Sequence, residues 1–219
     1  MRYVLSDLDG VLVDSGAEVE RIWREWALER GLDPDAVGRA SHGVPAREVV
    51  ARVAPQLDAA AEAERVDALH AATGGAALPG AAALLADAAP GRLAVVTSCG
   101  PALAAARLRA SGLPVPAVLI TSDMTARGKP HPDPYLAGAS ALGADPADCV
   151  VIEDAPAGIA AGRAAGMTVW GVTTTHRAAE LLAAGAERTA ENLSGLLNLE
   201  TLSSPPRRSR ADPTCRRTT

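Results

Sequence analysis

Apolar positions along the chain follow two patterns. Residues 2–5 read as a short, mostly apolar strand that leads into acidic residues, and similar short runs recur at 93–97, 117–121, 149–153 and 168–172. None of them alternates with polar residues, which marks strands covered on both faces, as in a parallel sheet. Between 17 and 30 the apolar residues Val19, Ile22, Trp23, Trp26 and Ala27 keep the three-to-four spacing of a helix, and Gly31 ends it. Helices are also predicted at 35–40, 46–53 and 58–72, with no strand between 15 and 75. Thr73-Gly74-Gly75 and Pro79-Gly80 are breaks. Beyond them helices predicted at 80–88, 102–111, 133–142, 155–165, 177–184 and 193–199 alternate with the strands.

Alternation with right-handed crossovers predicts an α/β fold, a doubly wound parallel sheet. The first strand belongs with the later ones, so the helical stretch is an insertion. The expected organisation is an α/β core from 1–14 and 79–199, a small all-helical inserted domain at 15–78, and a Pro-, Ser- and Arg-rich tail at 200–219. The tail reads as a solvated, disordered end.

Composition narrows the function classes. The 219 residues suffice for one large domain, or one domain with a small insert, and 48% apolar content builds a sizeable core. The net charge is −5. Five arginines against Glu200 and Asp212 give the tail +3, which leaves an acidic body of −8. An acidic body argues against a dedicated nucleic-acid binder. Cys99, Cys149 and Cys215 are too widely spaced for a disulfide framework or a structural zinc site, which fits a reducing compartment. No signal peptide and no membrane span are expected, so the cytoplasm is the default location and a monomer the default state. Phe is absent and Lys occurs once, at Lys129. Base-composition bias accounts for both, and it makes the one retained lysine worth locating.

In doubly wound sheets ligands bind beyond the carboxyl ends of the strands. The first strand is followed by Ser6-Asp7-Leu8-Asp9-Gly10. A period of two places Asp7 and Asp9 on one side, where their charges call for a cation or a shared proton. Thr97-Ser98-Cys99-Gly100 follows the second strand, just before a helix, where hydroxyls and free backbone N–H groups suit a phosphate or cap the helix. Arg127-Gly128-Lys129-Pro130-His131-Pro132 follows the third, and its prolines stiffen the loop that carries the lone lysine. Glu153-Asp154 follows the fourth, a second acidic pair. Hard carboxylates without a His/Cys set point to Mg2+ rather than zinc. A divalent cation, a lysine and hydroxyls facing one point make a phosphate site, in which a carboxylate can act as nucleophile.

These residues resemble the haloacid dehalogenase superfamily. Asp7-Leu8-Asp9-Gly10-Val11-Leu12-Val13-Asp14-Ser15 is similar to its first motif, and Thr97, Lys129 and Glu153-Asp154 fall where its second, third and fourth motifs would lie. The resemblance covers residues 1–199. The dehalogenases proper lack the second aspartate, so Asp9 turns the resemblance toward phosphoryl transfer. It implies Asp7 as nucleophile and Asp9 as acid and base. It implies Mg2+ held by Asp7, the Asp9 backbone carbonyl and Asp154, with Glu153 in or near the shell. Thr97 and Ser98 would bind the phosphoryl oxygens, Lys129 would neutralise charge, and the helical insert would be a cap that closes over the site.

Within the superfamily, Ser41-His42-Gly43, Val96-Thr97-Ser98, Gly128-Lys129-Pro130-His131-Pro132 and the run from Glu153 to Gly162 are similar to sugar-phosphate and polyol-phosphate phosphatases. The implied partner is a small phosphorylated metabolite, without nucleic acid or membrane. Related caps carry Arg just after His-Gly, where this chain has Val44 and Pro45, with Arg47 slightly later. His42 and Arg47 are therefore the candidate cap contacts. Trp23 and Trp26 are expected in the cap core, while His70 and His176 carry no signal. Two rival readings remain: an isomerase similar to β-phosphoglucomutase, and a non-enzymatic binding protein that kept the fold.

Overall fold

The computed structural model describes residues 2–41, 43–73 and 75–197. The core strands are β1 (Tyr3–Ser6), β4 (Leu93–Val96), β5 (Leu119–Ile120), β6 (Cys149–Glu153), β7 (Thr168–Val172) and β8 (Arg188–Ala190). All pair in parallel, in the order β5-β4-β1-β6-β7-β8. The doubly wound sheet expected from the apolar runs is therefore present. The chain builds outward from β1 to one edge and then, from β6, to the other. The direction changes beside β1, so a crevice opens at the carboxyl ends of β1, β4 and β6.

Each central strand feeds two cores. On one face Val4, Val150 and Ile152 pack against α5 (Ala81–Asp87), α6 (Pro101–Ala110) and α10 (Leu193–Leu196) through Leu84, Leu108 and Leu196. On the other face Leu5 and Val151 pack against α7 (Asp133–Ala141), α8 (Pro156–Ala164) and α9 (Ala178–Ala183) through Tyr135, Ile159 and Leu181. Helices on both faces explain why the strands lack polar alternation.

The helical stretch has a core of its own. Its helices are α1 (Gly16–Glu29), α2 (Pro34–Ser41), α3 (Ala46–Val53) and α4 (Ala59–Ala71). Ile22, Trp23, Trp26, Val37, Val49, Val50 and Val66 form the cluster. The rings of Trp23 and Trp26 meet edge to face at 5.4 Å. The Trp26 indole N–H donates to Glu62 at 2.7 Å, so its polar tip is satisfied.

Three features differ from the expectation. A two-stranded antiparallel ribbon, β2 (Val13–Asp14) with β3 (Ala76–Ala77), flanks the helical stretch on both sides, with Val13 opposite Ala77 and Asp14 opposite Ala76. Two-residue strands are too short to leave a periodic signature. The edge strand β8 was also not predicted, because Arg188-Thr189-Ala190 is half-buried and contains no apolar run. The run at 117–121 shortens to Leu119–Ile120, after Pro114 and Pro116. The expected tail at 200–219, with Cys215, lies outside the described residues. Among the described residues no helix is long and apolar enough to cross a membrane.

Candidate active site

Four strand ends deliver the site. Asp7 follows β1 and is tied down by its own N–H to the Ile152 carbonyl at 3.0 Å. Glu153 closes β6 and Asp154 follows it. Lys129 comes from the loop between β5 and α7, and its side chain is 1% exposed. The ammonium lies 2.9 Å from Asp7 Oδ1 and donates to Glu153 Oε1 at 2.7 Å and to the Val96 carbonyl at 3.2 Å. Three N–H donors thus meet three acceptors. Burial works against this charge, but the carboxylates of Asp7 and Glu153 outweigh it and hold Lys129 well above its usual range.

Glu153 is saturated by protein donors. Its Oε1 also accepts from the Tyr135 hydroxyl at 2.6 Å, and its Oε2 accepts from the backbone N–H groups of Asp154 and Ala155 at 3.1 and 3.3 Å. Gly158 makes room for this carboxylate, since a Cβ there would lie 1.7 Å from Glu153 Oε1. Asp154 Oδ2 accepts from the Thr175 hydroxyl at 2.5 Å. Gly10, with φ of +76°, clears the other side: a Cβ there would fall 2.0 Å from Asp154 Oδ2.

Asp7, Glu153 and Asp154 offer oxygens that lie within 4.8 Å of one another. Burial pushes the Asp7 carboxyl up to about 7 against the pull of Lys129. Burial, with Glu153 and Asp7 beside it, pushes Asp154 well above the carboxylate range. One lysine thus leaves this cluster short of positive charge. Asp154 Oδ1 has no donor among the described residues. A hard divalent cation fits such an all-oxygen set.

Asp9 points elsewhere. Both Asp7 and Asp9 line the same cavity, but the Asp9 carboxylate stands apart from the acidic cluster. Its Oδ1 accepts from the Ser15 hydroxyl and lies 3.2 Å from Arg107 Nε, and its Oδ2 accepts from the Cys99 thiol at 3.0 Å. Burial and the Asp9 charge push that thiol up, so it stays a neutral donor. Thr97 is buried, and its Oγ1 accepts from the Cys99 N–H at 3.1 Å. The Ser98 hydroxyl reaches across to the Gly43 carbonyl at 2.9 Å.

The cavity has a volume of about 120 Å³ and lies between the sheet end and the helical stretch. Asp7, Asp9, Thr97 and Asp154 line one side, while Trp23, Asp67 and His70 line the other. Burial and the Asp9 charge raise the Asp67 carboxyl to about 6. Burial and nearby Arg107 lower His70 to about 4, so its imidazole is neutral near pH 7. Of the two candidate cap contacts, Arg47 is exposed and is not among the cavity-lining residues, and His42 lies outside the described residues.

The sequence pattern did not single out Arg107, Asp67 or His70 as lining the cavity. One signal existed for Arg107: it falls with Leu103, Ala104 and Leu108 on the buried stripe of α6, where an arginine is out of place without a partner. His70 similarly continues the Ala63, Val66 face of α4.

A family profile described as haloacid dehalogenase-like hydrolase matches residues 1–166. The chain is 46% identical over 173 residues to hexitol phosphatase A of Escherichia coli, covering 75% of this chain and 80% of that protein. It is 35% identical over 188 residues to glycerol-1-phosphate phosphohydrolase 2 of Saccharomyces cerevisiae, covering 78% of this chain and 74% of that protein. A hydrolase from Pseudomonas syringae superposes with a TM-score of 0.78 at 30% identity, over 93% of this chain and all of that one.

Proposed function

Because the chain belongs to the haloacid dehalogenase-like hydrolases and is a phosphoric monoester hydrolase, we propose that it hydrolyses a small sugar- or polyol-phosphate through an aspartyl-phosphate, with Mg2+ as cofactor. The observation that carries this reading is the buried ammonium of Lys129 held between Asp7 and Glu153, with Asp154 alongside. Asp7 attacks phosphorus, and the bond to the ester oxygen breaks. Asp9, which enters the cycle having taken up a proton from solvent, turns from Ser15 and Cys99 and gives that proton to the oxygen, and the alcohol leaves. Asp9, now a base, takes a proton from water, which attacks phosphorus and breaks its bond to the Asp7 oxygen. Inorganic phosphate leaves and both aspartates are restored.

Lys129 stabilises the charge that builds on the phosphoryl oxygens, in a site from which water is largely excluded. Thr97 and the backbone around Ser98 bind those oxygens. Asp7 and Asp154 would hold Mg2+, with Glu153 fixing Lys129 and the Asp154 turn behind them. The cation would screen the phosphate from Asp7 and polarise the phosphoryl group. The helical stretch acts as the cap and supplies the leaving-group side of the cavity. Hydrolysis is favoured over isomerisation: hexitol phosphatase A and glycerol-1-phosphate phosphohydrolase 2 are hydrolases by name, and Arg47 is not among the cavity-lining residues.

The test is phosphate release from a panel of phosphate monoesters with Mg2+ and with chelator, by the wild-type chain and by Asp7→Asn. Release from hexitol or glycerol phosphates that needs Mg2+ and Asp7 is the expected result. A folded wild-type chain that releases none, or an Asp7→Asn variant that retains most of the rate, overturns the reading.

A further inference from the structure

The half of the cavity that faces away from the acidic cluster has its own chemistry. Asp67 of α4 is half-buried, and among the described residues its carboxylate has no hydrogen bond and no ion pair. It reaches toward the sheet: its Oδ2 lies 3.4 Å from where a Gly100 Cβ would be, at the turn that follows β4. His70, one helical turn on, is 4% exposed, and its buried Nε2 has no hydrogen-bond partner among the described residues. Its ring meets Trp23 at 6.4 Å between centroids, and Trp23 also lines the cavity. Across from them stands Arg107, its guanidinium beside Asp9 at 3.2 Å.

We propose that Asp67, His70 and Trp23, with Arg107 opposite, form a hydroxyl-reading subsite for an uncharged polyhydroxylated leaving group, and that the Asp67 carboxylate rejects substrates carrying a second phosphate. A carboxylate and an unprotonated imidazole nitrogen accept hydrogen bonds from hydroxyls, the guanidinium donates to them, and an indole packs against C–H groups. The charge of Arg107 is already answered by Asp9, and His70 is neutral near pH 7. The free charge on this side is therefore the negative one of Asp67. A carboxylate without donors in a half-buried position gains most from a ligand that brings hydroxyls. A second phosphate placed a few ångströms away meets repulsion in a low-dielectric space. This inference rests on the phosphatase reading above and adds the residues that choose the substrate.

The experiment compares kcat/KM of wild type, Asp67→Asn and Asp67→Ala on a hexitol 6-phosphate, a hexose bisphosphate and 4-nitrophenyl phosphate. The last has no aliphatic hydroxyls to read, so rates on it serve as the internal reference. Loss of folding lowers all three together and leaves the ratios unchanged. The expected result is a bisphosphate-to-monophosphate ratio that rises about tenfold or more in Asp67→Asn, as removal of a facing like charge requires. In Asp67→Ala the hexitol phosphate loses about tenfold relative to the reference, the cost of leaving hydroxyls unpaired. Ratios unchanged in both variants overturn the subsite. If the wild type releases no phosphate from any ester, the phosphatase reading fails separately. Binding of the two sugar esters, followed by tryptophan fluorescence, then decides the subsite: Asp67→Asn must shift the preference toward the bisphosphate, and an unshifted preference overturns it.

Discussion

Replacing Lys129 by methionine keeps the length of the side chain and removes its charge and three donors. The side chains of Lys129, Asp7 and Glu153 are 1%, 6% and 1% exposed, so water cannot take the place of the lost ammonium. Removing one partner from a buried ion pair costs about 3–5 kcal/mol, because the other charge stays behind. The buried carboxyls escape part of this by taking up a proton. Burial already raises Asp7 to about 7 with Lys129 still pulling it down, so without the lysine it goes higher. A carboxyl whose folded pKa exceeds its unfolded value contributes fully below the unfolded pKa and loses its contribution as pH rises through the folded one. The deficit of Lys129→Met against wild type should therefore be larger at pH 9 than at pH 6. Urea unfolding followed by tryptophan fluorescence measures both. Phosphate release should fall by about a thousandfold, as for loss of a central electrostatic group. Lys129→Arg should not rescue it, since a planar fork does not converge on three acceptors around one nitrogen. Equal stability at pH 9, or a fully active arginine variant, refutes the argument.

Gly158→Ala puts a Cβ 1.7 Å from Glu153 Oε1, so Glu153 must move and release Lys129 and Tyr135. Loss of stability by about 3 kcal/mol or more is expected, with loss of activity, and a wild-type unfolding curve counts against it. His70 is held near 4, below its usual 6.5, by burial and Arg107. A depressed folded pKa means stability is complete above about 6.5 and is lost as pH falls toward 4, by up to about 3 kcal/mol. The difference in melting temperature between wild type and His70→Asn should accordingly narrow on acidification over that range, and a constant difference rejects the assignment.

The sheet was legible because burial on two faces leaves an unambiguous mark. Val150 and Ile152 face one layer and Val151 the other, so the strand reads as one apolar run. The meeting of Asp7, Lys129 and Asp154 was legible for a related reason: two of them follow strands and the third sits on the loop after β5, and strand order alone brings these ends together. Asp9 shows the limit. Its place in the chain was right for the crevice, but its carboxylate turns to Ser15 before α1, Cys99 before α6 and Arg107 within α6, partners that only the tertiary packing brings together. Asp67 was silent, and His70 showed only as a buried position, because the packing of α4 against α6 puts them in the cavity. No local pattern encodes that packing. The helix α6 was predicted as an element, yet the meaning of its buried arginine depended on what lay opposite.

The short ribbon of β2 and β3 carries a consequence for descent. The chain leaves for α1 and returns from α4 through backbones bonded to each other, Val13 to Ala77 and Asp14 to Ala76. An excursion that closes on itself in this way leaves the strand order of the sheet untouched. Asp7, Asp9, Thr97, Lys129 and Asp154 all lie outside the excursion, while Trp23, Asp67 and His70 lie within it. Under the proposed roles, residues 16–75 can be rewritten, lengthened or traded without touching the residues that would carry phosphoryl transfer. On that reading, chemistry and diet would be passed on as separable traits of one gene.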